Sequence, residues 1–421
     1  MTEEFTKLRF LPLKKETMAK PNGDHLSEAR KKAFDALNIN HQHRVILSLD
    51  GGGMRGILTI QLLKKLEELA GMPCYQLFDM VAGTSTGGII SGLIATGHSA
   101  AQIEQLYIDL VTQVFDKRGA LANRFVNPPA FSKEKYRKLL KQTIGDTTLE
   151  QACAQTELDL LITAQDMAAA EETFFSCFKQ EDGTFHGTYK PVLLRAAMES
   201  TMSAPTYFYP LERFVDGGTT TYNNPSMSAL IEAVSYSFDQ GKHPQYNLQQ
   251  VTVFSFGTGV ARHFIKPDDT LNPKGPDISF WLNWLMDRNP QDASAMQNDM
   301  FRSPMMDKLV DFRRFQISLD PTSIKKIPNI DALDEKKYKS KWLHDLGEDV
   351  LGNIDMADVT RFDLMQVIGT QMAEYIIKSG NNFRKDLANS HGRDELVTAF
   401  GDVPRILKQM STPSWVDGFK A

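Results

Sequence analysis

Short apolar runs alternate with segments of helical spacing along much of this chain. Residues 45–49 and 251–256 have the length and the β-branched or aromatic content of buried strands. Between Thr59 and Leu69, apolar residues recur every three or four positions, which predicts an amphipathic helix with a charged outer face. This alternation predicts an α/β fold, with a mostly parallel sheet and helices on both faces.

The same patterns divide the chain into three regions. Residues 1–43 are mostly polar and are expected to form a lead-in to the main domain at residues 44–330. Residues 331–421 are charged and predict a mainly helical C-terminal extension, with 362–377 its clearest amphipathic segment. Residues 278–286 are apolar all round, which favours a buried helix over a rim facing a membrane or substrate. Further strands are predicted at residues 158–164, 173–178 and 312–319, and further helices at residues 100–114, 132–140, 192–200 and 227–234.

Composition and charge exclude several classes of protein. The 421 residues include 47 basic and 52 acidic side chains, and the net charge of −5 gives no basic footprint for a nucleic-acid polymer. Cys74, Cys153 and Cys177 are too few and too scattered for a disulfide framework or a zinc site, which favours a reducing compartment. The N-terminus lacks the features of a secretory signal, and no apolar run approaches the roughly 18 residues of a membrane span. We therefore expect a cytoplasmic protein that touches membranes at most from outside.

A strand, a sharp turn and a helix are predicted at residues 78–92. The turn contains Gly83-Thr84-Ser85-Thr86-Gly87, a match to G-x-S-x-G. In a nucleophile elbow of this type the serine has a strained backbone, and the flanking glycines are needed because strand and helix pack closely. Such a pentapeptide also occurs by chance, so the rest of the chain must supply its partners.

A second glycine-rich turn, residues 50–56 (DGGGMRG), joins the first strand to the helix that follows. The amides of Gly51, Gly52 and Gly53 are unhindered at a helix N-terminus, which suits an anion. A P-loop phosphate would need a lysine where Ile57 stands. The turn also matches the dinucleotide pattern G-x-G-x-x-G, but without a well-placed acidic residue after a second strand. The third anion is the oxyanion of an acyl group attacked by a nearby serine.

A serine nucleophile needs a base, and the best-placed base is an aspartate. Asp216 ends a short apolar run and is followed by Gly217 and Gly218 and by a helix N-terminus. An unperturbed aspartate is a weak base, so a Ser–Asp pair depends on burial and orientation. A triad in hydrolase order would instead use a late histidine, and none has a comparable setting among His243, His263, His344 and His391.

Three motifs in this order resemble the patatin-like phospholipases: DGGGMRG at residues 50–56, GTSTGG at 83–88 and DGG at 216–218. The segments SAPTYFYP, NNP and FSFGTG are secondary matches, and the resemblance covers about residues 44–259. It implies a three-layer α/β/α sandwich with a mostly parallel central sheet. The helical C-terminal region and the first forty residues are not covered by the resemblance. It also implies that the main domain is catalytic.

The resemblance assigns roles to individual residues. Ser85 is implied as the nucleophile and Asp216 as the base of a dyad without histidine. The amides of Gly51, Gly52 and Gly53 are implied as the oxyanion hole, supported by Arg55. The glycines that shape the motifs are Gly83, Gly87, Gly217 and Gly218.

The implied activity is hydrolysis of the carboxylic esters of phospholipids or other acyl lipids, as a phospholipase A or lysophospholipase, without a metal or cofactor. Two other enzymatic functions stay open. A serine acyltransferase would be expected to carry a catalytic histidine. A membrane-degrading effector of bacterial defence would be switched on by a small molecule or a protein, and the C-terminal region has room for such a switch. A lipid-binding or signalling module with a silent site is opposed by the intact motifs.

Overall fold

A mixed sheet runs through the centre of the protein. The computed structural model describes residues 26–114, 131–177, 189, 191–236, 238–239, 243–244, 246–260, 278–317, 319, 357 and 359–384, with side chains in the helix after residue 277 described from residue 290. The strands within these ranges are β1 (Arg44–Leu49), β2 (Met80–Thr84), β3 (Asp159–Asp166), β4 (Glu171–Ser176), β5 (Phe214–Asp216), β6 (Phe238–Asp239), β7 (His243–Pro244), β8 (Val251–Phe256) and β9 (Asp311–Phe315).

The helices connect and flank these strands. They are α1 (Glu28–Leu37), α2 (Gly56–Ala70), α3 (Cys74–Leu77), α4 (Thr86–Ala95), α5 (Ala100–Val114), α6 (Glu134–Ile144), α7 (Leu149–Thr156), α8 (Leu194–Thr201), α9 (Ser226–Tyr236), α10 (Ile278–Phe301) and α11 (Phe362–Lys378).

The strand order confirms the predicted α/β fold. The main sheet runs β4-β3-β2-β1-β8-β9, and β5 also pairs with β3. The pairings of β1, β2, β3, β8 and β9 are parallel, whereas β4 and β5 run antiparallel to β3. The carboxyl ends of β1, β2 and β8 therefore meet at one edge, where open α/β sheets bind their ligands.

Helices cover both faces of the sheet. Along β1, Leu47 packs in a hydrophobic cluster with Leu63 of α2 and Ile90 of α4. The preceding residue, Ile46, packs in a second cluster with Leu230 of α9. Because successive side chains of a strand point to opposite faces, the two clusters lie on opposite sides of the sheet and make three layers.

Helix α1 precedes β1 in the chain and helix α11 follows β9, and both pack onto the domain built around the sheet. Phe34 of α1 belongs to the larger cluster, and Arg30 of the same helix donates to buried Asp79 Oδ2 at 2.8 Å. Helix α11 packs against α2 with very little space between them, because a Cβ atom on Gly369 would lie 2.9 Å from the Cα of Leu58. Glycine at this position lets the two helix backbones approach closely.

Cys153 and Cys177 form a disulfide that joins α7 to the end of β4. The spacing of the three cysteines does not predict this pair, and the expectation of reduced cysteines is wrong for it. Cys74 is a buried free thiol. Because β3 and one turn separate α7 from β4 in the chain, the disulfide links helix α7 to the strand at this edge of the sheet.

The apolar segment at residues 278–286 forms the first part of α10. Its side chains lie outside the described residues, so its predicted burial stays a prediction. Among the helices that the structure describes, none has both the length and the apolar character needed to cross a bilayer.

Replacing Gly369 with leucine is expected to destabilise the protein by about 1–3 kcal/mol, because overpacking a close helix contact forces both helices to shift. Urea unfolding of the full chain, followed by circular dichroism, measures this change. Tyr375→Leu is the matched control because it places the same side chain at an exposed position of the same helix. A Gly369→Leu protein as stable as wild type would contradict the packing of α11 on α2.

Candidate active site

The turn between β2 and α4 has the strained geometry of a nucleophile elbow. Ser85 has φ 52° and ψ −122°, a positive-φ conformation that is rare for a residue with a side chain. A Cβ atom on Gly83 would lie 2.2 Å from the carbonyl oxygen of Gly87. A Cβ atom on Gly87 would lie 2.1 Å from the carbonyl oxygen of Leu49, at the end of β1. Both flanking glycines are therefore needed because backbone passes directly over backbone.

Strand pairing brings Asp216 to this turn. The last residue of β2, Thr84, pairs with Thr163 of β3, and the next residue of β3, Ala164, pairs with Asp216 of β5. Since β4 occupies the other edge of β3, β2 and β5 lie end to end along the same edge. Ser85 Oγ donates a hydrogen bond to Asp216 Oδ2 at 2.7 Å. Two residues that are 131 positions apart thus come into direct contact.

Burial changes the acid–base chemistry of Asp216. Its side chain is almost fully buried, and this desolvation raises its pKa from 3.8 to about 7. Hydrogen bonds from Ser85 Oγ and from the Gly218 amide, which donates to Oδ1 at 2.7 Å, oppose the rise because they favour the carboxylate. A carboxylate with a pKa near neutrality is a stronger base than a solvated aspartate.

The DGG turn fits closely against the sheet. A Cβ atom on Gly217 would lie 2.2 Å from Thr163 Oγ1, whereas one on Gly218 would lie 3.1 Å from Asp216 Oδ1. Gly217 is therefore needed for close packing against β3. Gly218 contributes mainly its amide, which holds the carboxylate in place.

The glycine-rich turn at residues 50–56, the glycine loop, lies beside Ser85. A Cβ atom on Gly51 would lie 3.0 Å from the Cβ of Ser85, so Gly51 lies closely against the Ser85 side chain. The Gly51 amide is already engaged, because it donates to the carbonyl oxygen of Asn223 at 3.1 Å. The amides of Gly52 and Gly53 donate to no acceptor within the described part of the chain. These two amides are the ones available to an anion at this site.

Arg55 supports the loop through its backbone and side chain. Its amide donates to the carbonyl oxygen of Gly52 at 3.1 Å, and its Nε lies 3.5 Å from the same oxygen. The supporting role that the resemblance implies for Arg55 in an oxyanion hole stays a prediction.

A buried ion pair anchors the start of the glycine loop. Arg314 of β9 is fully buried and donates to both carboxylate oxygens of Asp50, at 2.7 and 2.5 Å. It also donates to Ser255 Oγ at 2.7 Å. Burial raises the pKa of Asp50, and the guanidinium of Arg314 opposes that rise. Arg314 was not predicted, because an arginine in β9 gives no local sign of a partner that lies far away in the sequence.

Threonine side chains hold the elbow itself. The Ser85 amide donates to Thr201 Oγ1 at 2.7 Å. Thr84 Oγ1 donates to the carbonyl oxygen of Tyr222 at 2.6 Å and lies 2.7 Å from Thr163 Oγ1. None of these contacts could be found from the sequence, since each joins elements that are far apart in the chain.

No other predicted base reaches the site in the part of the chain that is described. His263, His344 and His391 lie outside the described residues, as does the side chain of His243. Across those same described ranges, no group of three or more His, Cys, Asp or Glu side chains is arranged to hold a metal ion.

Removing one partner of the Asp50–Arg314 pair is expected to cost about 3–5 kcal/mol of unfolding free energy, because it leaves the other charge buried and unpaired. The combined Asp50→Asn/Arg314→Met change should cost less than the sum of the two single changes, because no unpaired charge is left. Chemical denaturation of all four proteins measures this coupling.

Arg195→Met is the control, because it breaks a pair with Asp146 that lies at the surface and should change the unfolding midpoint little. Strictly additive effects of the Asp50 and Arg314 substitutions would contradict the buried ion pair.

Comparisons with known proteins agree with this architecture. A family profile described as "Patatin-like phospholipase" matches residues 47–230. An 85/88 kDa calcium-independent phospholipase A2 of Rattus norvegicus is 32% identical over 269 residues, which cover 60% of this chain and 32% of that protein. A cGAMP-activated phospholipase of Escherichia coli (strain TW11681) is 31% identical over 227 residues, covering 49% of this chain and 62% of that protein. The chain thus spans less than two thirds of either relative.

Among solved structures, one similar to this chain is human GIVD cytosolic phospholipase A2 in complex with Methyl gamma-Linolenyl Fluorophosphonate. The match covers 85% of this chain and 61% of the phospholipase chain. The sequence identity is 12% and the TM-score 0.39, a score too low to bear on function. The likeness to the family depends instead on the sequence matches and on the motifs they contain. By the family profile and by both relatives, residues 47–230 of this chain are similar to the patatin-like phospholipases.

Proposed function

We propose that this protein is a lipid acyl hydrolase that cleaves carboxylic esters of membrane lipids, with Ser85 as nucleophile and Asp216 as base. The observation that supports the proposal most strongly is the 2.7 Å hydrogen bond from Ser85 Oγ to a buried carboxylate. A serine at a strained elbow with a base in direct contact is the arrangement that activates a hydroxyl for attack.

The reaction would proceed through an acyl-enzyme. Asp216 accepts the proton of Ser85 as its Oγ attacks the ester carbonyl carbon, and the protonated carboxyl then returns that proton to the departing alcohol. Water enters, Asp216 accepts its proton, and hydrolysis releases the fatty acid and restores Ser85. One group acts as base and then as acid in each half-reaction, which suits a pKa near the working pH.

The glycine loop would stabilise the negative charge that develops on the carbonyl oxygen. The amides of Gly52 and Gly53 are available for this role, and amides held in place stabilise such an oxyanion strongly in a site without water. The Gly51 amide is engaged with Asn223, so Gly51 would contribute chiefly by its lack of a side chain next to Ser85.

Phospholipids are the proposed substrates because the relatives above are phospholipases. Identifying the fatty acids and lysolipids that the protein releases distinguishes a phospholipase A from a lysophospholipase. Peripheral contact with a membrane is part of the proposal. A cytoplasmic location stays a prediction, and the Cys153–Cys177 disulfide opposes it because such bonds persist mainly in oxidising compartments.

A switched effector is the second candidate function. The observation in its favour is the 31% identity to a protein named a cGAMP-activated phospholipase. Under this alternative the same dyad works only when a small molecule or a protein partner is bound. Lipid hydrolysis by the purified protein, measured with and without cyclic dinucleotides, separates the two, since full activity without an added activator opposes a switch.

Ser85→Ala and Asp216→Asn are each expected to lower lipid hydrolysis by at least about a thousandfold, since each removes one half of the nucleophile pair. The measurement is mass spectrometry of fatty acids and lysolipids released from mixed phospholipid vesicles. Ser91→Ala is the matched control, because Ser91 is a buried serine of α4 whose Oγ has no hydrogen-bond partner among the described residues. Near-normal turnover by either dyad variant, with a folded protein, would exclude the assignment.

The rate is expected to fall in acid as Asp216 gains a proton. Because its pKa is raised to about 7, the base form dominates above pH 7 and is lost below it. The kcat/KM for a soluble ester should then drop about tenfold per pH unit below neutrality, with the amount of folded protein unchanged. An acid limb with an apparent pKa near 4, the value of a solvated aspartate, would oppose Asp216 as a buried base.

A further inference from the structure

Each amide of the glycine loop is oriented by whatever holds the carbonyl group of the preceding residue. In a trans peptide unit the C=O and N–H groups point in opposite directions. The Gly52 amide therefore points away from the carbonyl oxygen of Gly51. That oxygen accepts a hydrogen bond from Thr258 Oγ1 at 2.7 Å.

Thr258 lies directly against the loop. It follows β8, is almost fully buried, and fills the space that Gly52 leaves by having no side chain. A Cβ atom on Gly52 would lie 2.1 Å from Thr258 Oγ1 and 2.5 Å from Thr258 Cβ. Thr258 can therefore occupy this position only because Gly52 has no side chain.

The segment that carries Thr258 is itself anchored to β9 and the residue after it. The Gly257 amide donates to the carbonyl oxygen of Phe315 at 2.9 Å, and the Gly259 amide donates to Gln316 Oε1 at 2.9 Å. The hydroxyl of Thr258 is therefore presented to the loop by a backbone fixed on both sides. This segment lies beyond residues 47–230, the range of the family match.

Other groups donate hydrogen bonds to the next two carbonyl oxygens of the loop. The carbonyl oxygen of Gly52 accepts from the Arg55 amide, inside the loop, and that of Gly53 accepts from Thr86 Oγ1 at 2.9 Å and from the Tyr107 hydroxyl. In the described ranges, Thr258 supplies the hydrogen bond to the unit that ends in the Gly52 amide.

We propose that Thr258 is a positioning residue for the oxyanion hole. Its hydroxyl holds the Gly51 carbonyl so that the Gly52 amide faces the carbonyl oxygen of the acyl group attacked by Ser85. This inference rests on the proposed hydrolase function. Without the hydroxyl the 51–52 peptide unit can rotate, and the loss appears mainly in the transition state, where the negative charge develops.

Thr258→Val and Thr258→Ser test the hydroxyl separately from the shape of the side chain. With p-nitrophenyl butyrate as a soluble ester, Thr258→Val is expected to lower kcat about ten- to a hundredfold with KM within about twofold, because an oxyanion donor acts in the transition state. Thr258→Ser keeps the hydroxyl and should stay within about threefold of wild type on the same grounds.

Thr96→Val is the matched control. Thr96 is also buried, and its Oγ1 donates to the carbonyl oxygens of Gly92 and Leu93 at 3.1 and 3.0 Å, at the far end of α4. The Thr96→Val protein loses a comparable hydroxyl–carbonyl hydrogen bond away from the glycine loop, so its kcat should match that of wild type. Thermal unfolding of every variant reports whether it is folded, and Thr258→Ala replaces Thr258→Val if valine prevents folding.

A second readout does not depend on ester hydrolysis. A fluorophosphonate probe reacts with an activated serine and places its phosphoryl oxygen in the oxyanion hole, so its labelling rate at Ser85 should fall in Thr258→Val in parallel with kcat. Mass spectrometry of the labelled peptide measures this rate. If the wild type is labelled at Ser85 but cleaves no ester, the hydrolase proposal is overturned. The labelling rates of wild type and the Thr258 variants then test this inference by themselves.

Three results would overturn the inference. The first is a folded Thr258→Val, or its alanine substitute, with wild-type labelling and turnover. The second is a Thr258→Ser protein that loses as much activity as Thr258→Val, since the methyl group and not the hydroxyl would then matter. The third is a wild type that takes up no probe at Ser85, which would overturn the hydrolase proposal as well.

Discussion

The position of β3 in the sheet is the constraint on which the candidate site depends. One edge of β3 is occupied by β4, so the other edge must accommodate both β2 and β5, one after the other. The residue that follows β2 is Ser85, and the residue that ends β5 is Asp216. Backbone hydrogen bonds of a sheet, rather than side-chain packing, thus set the distance between Ser85 and Asp216. Such a frame is rigid because each strand is fixed by several bonds at once.

Two buried carboxylates at this end of the sheet have different partners. Burial raises the pKa of both, but Asp50 accepts two hydrogen bonds from the guanidinium of Arg314, whose positive charge opposes the rise. Among the described residues, Asp216 accepts hydrogen bonds from a hydroxyl and an amide, and its pKa rises to about 7. The first carboxylate is suited to holding a loop, and the second to exchanging a proton.

Much of the fold, and the sharp turn that carries Ser85, could be predicted from the sequence, because their determinants are local. Apolar runs gave the parallel strands, and glycines at 83 and 87 marked a turn in which a side chain would collide with backbone. The pairing of Asp50 with Arg314 could not be predicted, since the two are 264 positions apart. The same holds for the engaged Gly51 amide, because a sequence does not show which amides are already used in folding. The Cys153–Cys177 bond depends on how α7 packs beside β4, which spacing alone does not reveal.

The pairing of β1 has a consequence for the limits of the folding unit. The family match ends at residue 230, yet β8, which completes the hydrogen bonds of β1 on one side, begins at Val251. A fragment that ended with the match would leave β1 as a bare edge strand, with a row of unsatisfied amides and carbonyls. Such an edge is a template for pairing with a second molecule, and natural sheets avoid it. We therefore expect the matched region to aggregate when it is isolated, because β8 covers the edge of β1 in the full chain.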